Sequence, residues 1–508
     1  MSGLGLFRRT TIVVATALAL PLGAAMAAPV GPGAPGIGDP YYPDYGNGGY
    51  DVDHYAVDVG YTPATDRLVG TTRITAHATQ ALSSFDLDFV LPVSSVKVDG
   101  QRAAFRTTDH EVVVTPRKKV KDGAKMTVVV RYSGVPSTVS DGTVKPWIKT
   151  ADGAAAVGEP EIAAWWYPGN DHPRDKATYD VKVTVAKDLE ALGNGKLVSN
   201  TVTGNKRTWH WREAKPMAPY LAFFVVGQFD ITKSTTKDGL PVINAVASNG
   251  GSEGEYAAAD LARTAEVVNF ESRQWGPYPF DALGGVAPAA DFGFALENQT
   301  RPVYTRGFWD EGPNIYVIVH ELAHQWYGDS VSVRNWKDIW LNEGFASFTE
   351  WLWSEKHDEG TAKQLFQTYY DYYAANENFW KVKIGDPGAG NEFNGAVYDR
   401  GAMTLQALRT RIGNPAFFTT MRNWAAQHKY GNGSVQQFIK LAEKVSGKDL
   451  GSFFDAWLFT PSIPAATPAN GFPKGFTSGG TTTLRKAQDS SFAKIQRTHE
   501  LLLAQESD

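Results

Sequence analysis

The sequence predicts an α+β protein of more than one domain, with a β-rich first part and a mainly helical second part. Short alternating runs rich in Val and Thr, separated by Gly, Asp and Pro, fill residues 51–232 and are typical of half-buried strands. Helical spacing of apolar residues dominates from residue 314 to about residue 459. At 508 residues the chain is also longer than one hydrophobic core usually serves. We therefore expect a β-sandwich or saddle-shaped sheet over residues 51–232 and a second domain over residues 233–462.

The first 27 residues have the pattern of a secretory signal peptide. Arg8 and Arg9 precede the apolar stretch "TTIVVATALALPLGAA", and Ala25-Met26-Ala27 supplies a small-x-small cleavage site. The apolar stretch is short for a membrane anchor, and no other run is long enough to cross a bilayer. We expect a secreted protein with no membrane span after cleavage. The arginine pair leaves both the Sec and the Tat route open.

Two further segments lack a regular pattern. Residues 28–50, "APVGPGAPGIGDPYYPDYGNGGY", are rich in Gly and Pro and predict a flexible leader. Residues 463–508 predict a mostly irregular tail, in which only "FAKIQRTHELLLAQ" carries a helical pattern.

Composition limits the partners and the metal ligands. The formal net charge of -5 gives no reason to expect nucleic acid or an anionic membrane surface as a partner. Because the chain has no Cys, any metal site must be built from His and carboxylate side chains.

The stretch "VIVHELAHQWYGD" carries the strongest chemical signal. His320 and His324 are four residues apart, so on a helix both imidazoles lie on one face and can reach one zinc ion at about 2.0–2.1 Å. Glu321 lies one step round the helix, where its carboxylate can take a proton from a metal-activated water. An ordinary packed helix would explain the apolar neighbours. It would not explain the polar triplet, which chance produces only about 0.01 times in such a chain.

A catalytic zinc site needs a third protein ligand, and Glu343 is the best candidate. It follows His324 after 18 intervening residues, inside the predicted helix "WLNEGFASFTEWLW". Two antiparallel helices joined by a loop bring Glu343 to the metal and leave a fourth position open for water or substrate. Asn342 and Glu350 are candidates to orient a ligand histidine, unless they only form a solvated helix face.

Together, "VIVHELAHQWYGD" and "WKDIWLNEGFASF" resemble the aminopeptidase N and leukotriene A4 hydrolase family of gluzincins. The resemblance extends from about Asp51 to Ser462. It implies a thermolysin-like fold for residues 233–462, with Zn²⁺ as cofactor. Larger members of the family carry a long C-terminal helical domain, whereas this chain stops soon after "FFDAWLFTPSIP". We therefore expect a short secreted form with a more open site.

The same resemblance assigns two residues at the substrate's amino terminus. The stretch "DFGFALENQTRPVY" stands at the family's Gly-x-Met-Glu-Asn motif, and its end matches Glu297 and Asn298. In the family this Glu binds the free α-ammonium. Phe294 replaces the family's Gly and Leu296 its Met, and a side chain at position 294 alters how closely a substrate backbone approaches.

Two further segments of the resemblance assign two more residues. The stretch "GAVYDRGAMTLQAL" resembles the family segment Tyr-x-Lys-Gly-Ala, which makes Tyr398 the expected donor to the oxyanion, with Arg400 in place of Lys. The stretch "GEPEIAAWWYPGNDHPRDKATYDV" resembles the end of the family's β-domain. It puts Glu159 at a second carboxylate for the α-amine, with Glu161 as a competing choice.

These residues predict a secreted zinc aminopeptidase that removes the first residue from peptides with a free N-terminus. One alternative is a secreted zinc endopeptidase, which Phe294 and an open site favour. The other is a non-catalytic β-rich binding protein with a remnant metal site. The presence of both Glu321 and Tyr398 argues against it, since degenerate enzymes usually lose such groups.

Overall fold

The computed structural model describes residues 1, 30–140, 146–479 and 491–503. Residues 2–27 of the predicted signal peptide, on which the expectation of export rests, lie outside the described residues. No helix within the described ranges is long and apolar enough to cross a membrane.

The first domain is built on one eight-stranded sheet whose strands alternate between buried and exposed residues. In Tyr50–Thr62, for example, the side chains of Val57, Val59 and Tyr61 are buried while Asp58 faces solvent, as expected for a sheet with one covered face. In spatial order its strands are Lys196–Thr203, Lys206–Met217, Ala177–Ala186, Tyr50–Thr62, Arg67–Ala78, Lys125–Gly134, Val93–Val98 and Gln101–Arg102.

A smaller four-stranded sheet covers the buried face of the large one. Tyr61 of the large sheet contacts Trp147 and Phe224 of the small sheet, with ring centroids 5.6 Å and 6.5 Å away. The strands of the small sheet are Trp147–Lys149, Ala154–Ala156, Phe224–Gly227 and Glu190–Gly193. Two further strand pairs flank this domain: Gly31–Pro32 with Leu82–Ser84, and Ala104–Thr107 with Val112–Thr115. The alternating stretch "FDLDFVL", residues 85–91, pairs irregularly with the strand Val112–Thr115: the N–H groups of Phe85 and Leu87 donate to the carbonyls of Val114 and Val112 at 3.0 Å and 3.1 Å.

The expectation of a flexible leader is wrong for residues 30–49, which pack between the two domains. The carboxylate of Asp39 accepts hydrogen bonds from the backbone N–H groups of Tyr41 and Trp336 and lies 3.0 Å from His172. The Tyr41 hydroxyl donates to Asp386 at 2.5 Å. Composition missed this because the contacts that hold the segment join residues far apart in sequence, such as Tyr42, whose ring lies 6.2 Å from that of Trp336.

The second domain joins a five-stranded sheet to a layer of helices, so the predicted α+β fold class is confirmed. Its strands in spatial order are Phe229–Thr235, Pro241–Ala247, Leu283–Ala287, Val303–Tyr304 and Ala295–Leu296, and Val331–Val333 pairs separately with Gly431–Gly433. The helices are α1 (Gly251–Leu261), α2 (Thr264–Trp275), α3 (Ile315–Ala323), α4 (Trp340–Lys356), α5 (Ala362–Tyr373), α6 (Glu377–Lys381), α7 (Gly395–Ile412), α8 (Asn414–Gln427), α9 (Val435–Ser446), α10 (Gly451–Phe454) and α11 (Ser491–Leu502).

Helices α3 and α4 are buried on nearly all sides and pack against each other. A helix buried all round is normally apolar. Both helices nevertheless carry His and Glu side chains, and burying such groups costs free energy unless each finds a partner. This conflict between burial and polarity marks the position of the functional site.

The tail is partly irregular and partly helical. Residues 463–479 contain one short turn, Pro468–Asn470, whereas α11 packs back on the second domain through Phe492, whose ring lies 4.8 Å from that of Tyr369.

Candidate metal centre and active site

Helices α3 and α4 bring three candidate ligands to one point. The Nε2 atoms of His320 and His324 lie 3.3 Å and 3.4 Å from Oε2 of Glu343. The ligand atoms of all three residues lie within 4.8 Å of one another. Corners of a tetrahedron with bonds of about 2.0–2.1 Å are about 3.3–3.4 Å apart. The donor set and its spacing therefore fit Zn²⁺.

The hydrogen bonds of the two histidines turn their Nε2 lone pairs toward this point. Nδ1 of His320 lies 2.5 Å from Oε1 of Glu350, and Nδ1 of His324 lies 3.0 Å from the carbonyl of Tyr327. Both partners are acceptors, so each Nδ1 carries the hydrogen and each Nε2 is free to bind a metal. Of the two candidates for orienting a ligand, the structure thus places Glu350 on His320. The side chain of Asn342 makes no hydrogen bond within the described part of the chain.

The pKa values of the candidate ligands also suit a cation site. Burial alone would raise the pKa of Glu343, but the neighbouring His324 and His320 outweigh it and lower that pKa to about 2. Burial alone would lower the pKa of His324, but the surrounding carboxylates outweigh burial and raise that pKa well above its usual value. The carboxylates around the two histidines therefore stabilise positive charge at this point, as a cation site requires.

Glu321 and Tyr398 face the same pocket from two helices. The three candidate ligands line the same pocket. Burial raises the pKa of Glu321 to about 8. The Tyr398 ring stacks on His320 with centroids 5.9 Å apart, and its burial raises the pKa of the phenol well above its usual value. The phenol therefore keeps its proton and can donate it in a hydrogen bond.

Two further carboxylates, Glu159 and Glu297, line the pocket beside the metal centre. Burial raises the pKa of both, and their mutual repulsion raises that of Glu159 further. Glu161, the competing choice, instead pairs with His110 at 2.9 Å and is not among the pocket residues.

Asn298 does not line the pocket. Its side-chain amide donates to the carbonyl of Leu221 at 3.0 Å, in the segment that carries Tyr220. The structure thus makes it a support for the pocket wall, in contrast to the expected contact with substrate.

Three residues of the site escaped the sequence analysis. Tyr220 donates from its hydroxyl to Oε1 of Glu297 at 2.9 Å. His499 of α11 lies 3.0 Å from Oε1 of Glu350 and 2.6 Å from Oδ1 of Asp399. Burial lowers the pKa of His499, but the two carboxylates outweigh it and raise that pKa to about 10. None of the three carries a local signal, because their partners are remote in sequence.

Comparison with known proteins agrees with this geometry. Residues 51–221 match the Peptidase M1 N-terminal domain, and residues 308–457 match the Peptidase family M1 domain. The chain belongs to the M1 peptidase family, and the expected resemblance is confirmed. The cofactor of this family's zinc metallopeptidases is Zn²⁺, which the ligand set here fits.

Individual relatives are distant, and several are longer. Probable aminopeptidase 1 of Sulfurisphaera tokodaii is 25% identical over 82% of this chain and 54% of its own length. Aminopeptidase N of Lactobacillus helveticus is 26% identical over 82% of this chain and 51% of its own length. The chain therefore spans about half the length of these relatives.

Solved structures match over their full length. An M1 zinc metallopeptidase from Deinococcus radiodurans superimposes with a TM-score of 0.76 at 26% identity, covering 84% of this chain and 98% of that one. A variant of the same protein bound to Tyr-Ser-Ala gives the same score.

Proposed function

We propose that this protein is a secreted zinc aminopeptidase that hydrolyses the first peptide bond of peptides with a free N-terminus. His320, His324 and Glu343 hold Zn²⁺. Glu321 is the general base, and Tyr398 donates to the oxyanion.

The observation that carries the aminopeptidase assignment is the carboxylate pair of Glu159 and Glu297. Burial and then the charge of Glu297 raise the pKa of Glu159, and both carboxylates lie in one buried pocket beside the metal ligands. A substrate α-ammonium between them would neutralise this repulsion and gain two charge-assisted hydrogen bonds. A cation held there fixes the substrate so that its first peptide bond reaches the centre. The tripeptide bound to the Deinococcus relative supports the same class of substrate.

Zinc, when bound, polarises the substrate carbonyl and makes water acidic enough to lose a proton near neutral pH. Glu321 takes that proton and later returns it to the leaving amine. Tyr398 donates its phenolic hydrogen to the carbonyl oxygen as negative charge develops there. Tyr220 holds Glu297 in position, and Asn298 supports the wall behind Tyr220.

The test compares an aminoacyl chromogenic amide with its N-acetylated form. The expected result is rapid cleavage of the free amine only, abolished by a chelator and restored by added zinc. Glu297→Gln should raise KM for the free amine, whereas Glu161→Gln, outside the pocket, should leave it unchanged. Equal cleavage of both amides would contradict an aminopeptidase and favour the endopeptidase, the second candidate.

Phe294 is the observation behind that second candidate. It lines the pocket and contacts Phe292, with ring centroids 4.8 Å apart. A Phe294→Gly variant should therefore shift the preference among first residues. It should leave the requirement for a free amine intact if the carboxylate pair sets that requirement.

Export rests on the sequence of residues 1–27 alone. Expression of the full chain in a secreting host should release a mature protein that begins at Ala28, as N-terminal sequencing would show. Retention of residues 1–27 in the released protein would contradict this part of the proposal.

A further inference from the structure

We propose that the C-terminal helix α11 completes the active site, with His499 as a positioning residue that holds zinc ligand His320 through Glu350. The inference rests on the proposed metal site and adds to it a segment that no motif marks.

A line of contacts starts at the zinc ligand His320. Nδ1 of His320 lies 2.5 Å from Oε1 of Glu350, and Nε2 of His499 lies 3.0 Å from the same oxygen. On its other side, Nδ1 of His499 lies 2.6 Å from Oδ1 of Asp399. All four side chains are buried. One carboxylate oxygen is thus held between two imidazoles, and both ring nitrogens of His499 are used.

Asp399 is itself fixed, so the line ends on a rigid group. Its Oδ2 accepts hydrogen bonds from the Tyr373 hydroxyl at 2.6 Å and from the Gln496 amide at 3.0 Å. Asp399 also follows Tyr398 directly in α7. Helices α4, α5, α7 and α11 therefore meet at one buried polar cluster behind the metal ligands.

The docking of α11 is specific along its length. Ser491 pairs with Ser354 at 2.7 Å, Lys494 with Glu359 at 2.9 Å, and Thr498 with Asn314 at 3.1 Å. The helix ends at the pocket itself, where Leu502 lines the same cavity as Phe294 and Tyr398.

These contacts affect the orientation of the His320 imidazole. Glu350 alone on His320 has rotational freedom that lets the imidazole tilt from the metal. A donor on the far side of the shared oxygen restricts that freedom. Partners of metal ligands typically contribute about 10–100-fold to metal affinity or activity, and His499, one bond further out, should act toward the lower end.

The test measures zinc release from the loaded full-length protein into excess chelator, with no substrate present. His499→Gln places its amide nitrogen near the former Nε2 and keeps the donor to Glu350. His499→Asn places it near the former Nδ1 and keeps only the link to Asp399. We expect zinc to leave the Asn variant about tenfold faster than wild type, and the Gln variant to stay close to wild type. Lys494→Ala, which loses a docking contact of the same helix, is the matched control and should release zinc at the wild-type rate.

An unchanged zinc release rate in the Asn variant would overturn the proposal. Equally fast release from both variants would also overturn it, because packing of the helix, and not the hydrogen bond to Glu350, would then be responsible. If the Asn variant does not fold, a double-variant cycle of His499→Ala, which removes both links of the imidazole, with Glu350→Gln decides. Additive effects on the release rate would then contradict a shared path.

The pocket end of the helix has its own readout. Leu502→Ala should raise KM for aminoacyl amides about fivefold through lost apolar contact, while zinc release stays unchanged. An unchanged KM for every amide would contradict a wall role for α11. A wild-type protein that shows the expected zinc release but cleaves no aminoacyl amide would contradict the proposed function and leave this inference intact.

Discussion

Glu321 is the residue on which turnover should depend most. It lies in the pocket beside the three proposed zinc ligands but is not itself one of them. Burial raises its pKa to about 8. Glu321→Gln should therefore keep the fold and one zinc per chain and lose about 10²–10⁴-fold in kcat. Steady-state kinetics with metal analysis on the same sample would check this, with the exposed Glu255→Gln as control. A fully active Gln variant would remove Glu321 from the mechanism.

Tyr398 should act on the transition state rather than on binding. Its phenol is buried, protonated and directed at the pocket from α7. Tyr398→Phe should lower kcat about 10²–10³-fold with little change in KM. Tyr372→Phe, on an exposed ring, should leave both constants unchanged. A rise in KM with unchanged kcat would instead give Tyr398 a substrate-binding role.

Local spacing was sufficient to predict that His320 and His324 lie side by side, because residues four apart on a helix share a face, whereas the approach of Glu343 rested on an expected pair of antiparallel helices. Glu159 and Tyr398 needed the family resemblance, since single carboxylates and phenols carry no signal of their own. Neither local spacing nor the family resemblance predicted His499. The stretch "THELLLAQ" repeats His-Glu-Leu from α3, but Leu503 stands where a second histidine would be.

At the scale of elements, Arg400 links α7 to the end of the helical domain. Its guanidinium donates to five backbone carbonyls, those of Trp457, Trp380, Val382, Ala456 and Thr460. A planar fork with five donors can serve acceptors in several directions, whereas an ammonium group has three donors on one atom. Arg400 therefore cannot be exchanged for the Lys usual in the family without leaving buried carbonyls unpaired.

Arg400→Lys should lower the free energy of unfolding by roughly 2–4 kcal/mol. Thermal unfolding of the zinc-loaded protein would show this as a lower midpoint, while kcat at low temperature should stay close to wild type because Arg400 does not line the pocket. Arg102→Lys on an exposed edge strand is the control. Equal midpoints for both variants would contradict the role of the five bonds.

Helices and strands with strong periodicity were predictable, and the exceptions have physical causes. The alternating pattern located the strands of the large sheet because one of its faces is buried. The stretch "FDLDFVL" alternates equally well. It pairs with Val112–Thr115 only irregularly, because Asp88 has other partners: its backbone N–H donates to the carbonyl of Gly169, and its carboxylate accepts from Asn47 and from the backbone N–H of Asp171.

At the scale of the whole molecule, buried polar contacts join the domains. The Arg301 guanidinium donates to the carbonyls of Gly193 and Gly195 in the first domain, and Gly195 N–H donates to Thr300 at 2.7 Å. These bonds hold the loop that carries Glu297. Neither they nor the docked leader was predictable, because each joins residues far apart in sequence.

Glu213 makes this interface sensitive to pH. Burial raises its pKa to about 8, so between about pH 4.5 and pH 8 the folded chain keeps a proton that the unfolded chain has released. Its contribution to stability is therefore complete at low pH and is lost as the pH rises through 8. Glu213→Gln keeps the acceptor for the Lys215 N–H group and should unfold at a higher temperature than wild type at pH 9 but at the same temperature at pH 4. Equal midpoints at both pH values would contradict the raised pKa.

The most direct test of the account is the metal content of the active enzyme. Purified full-length protein that cleaves aminoacyl amides should contain one zinc per chain, and a His324→Ala variant should contain none and be inactive. Undiminished activity in protein from which all transition metal has been removed would contradict a centre built on His320, His324 and Glu343.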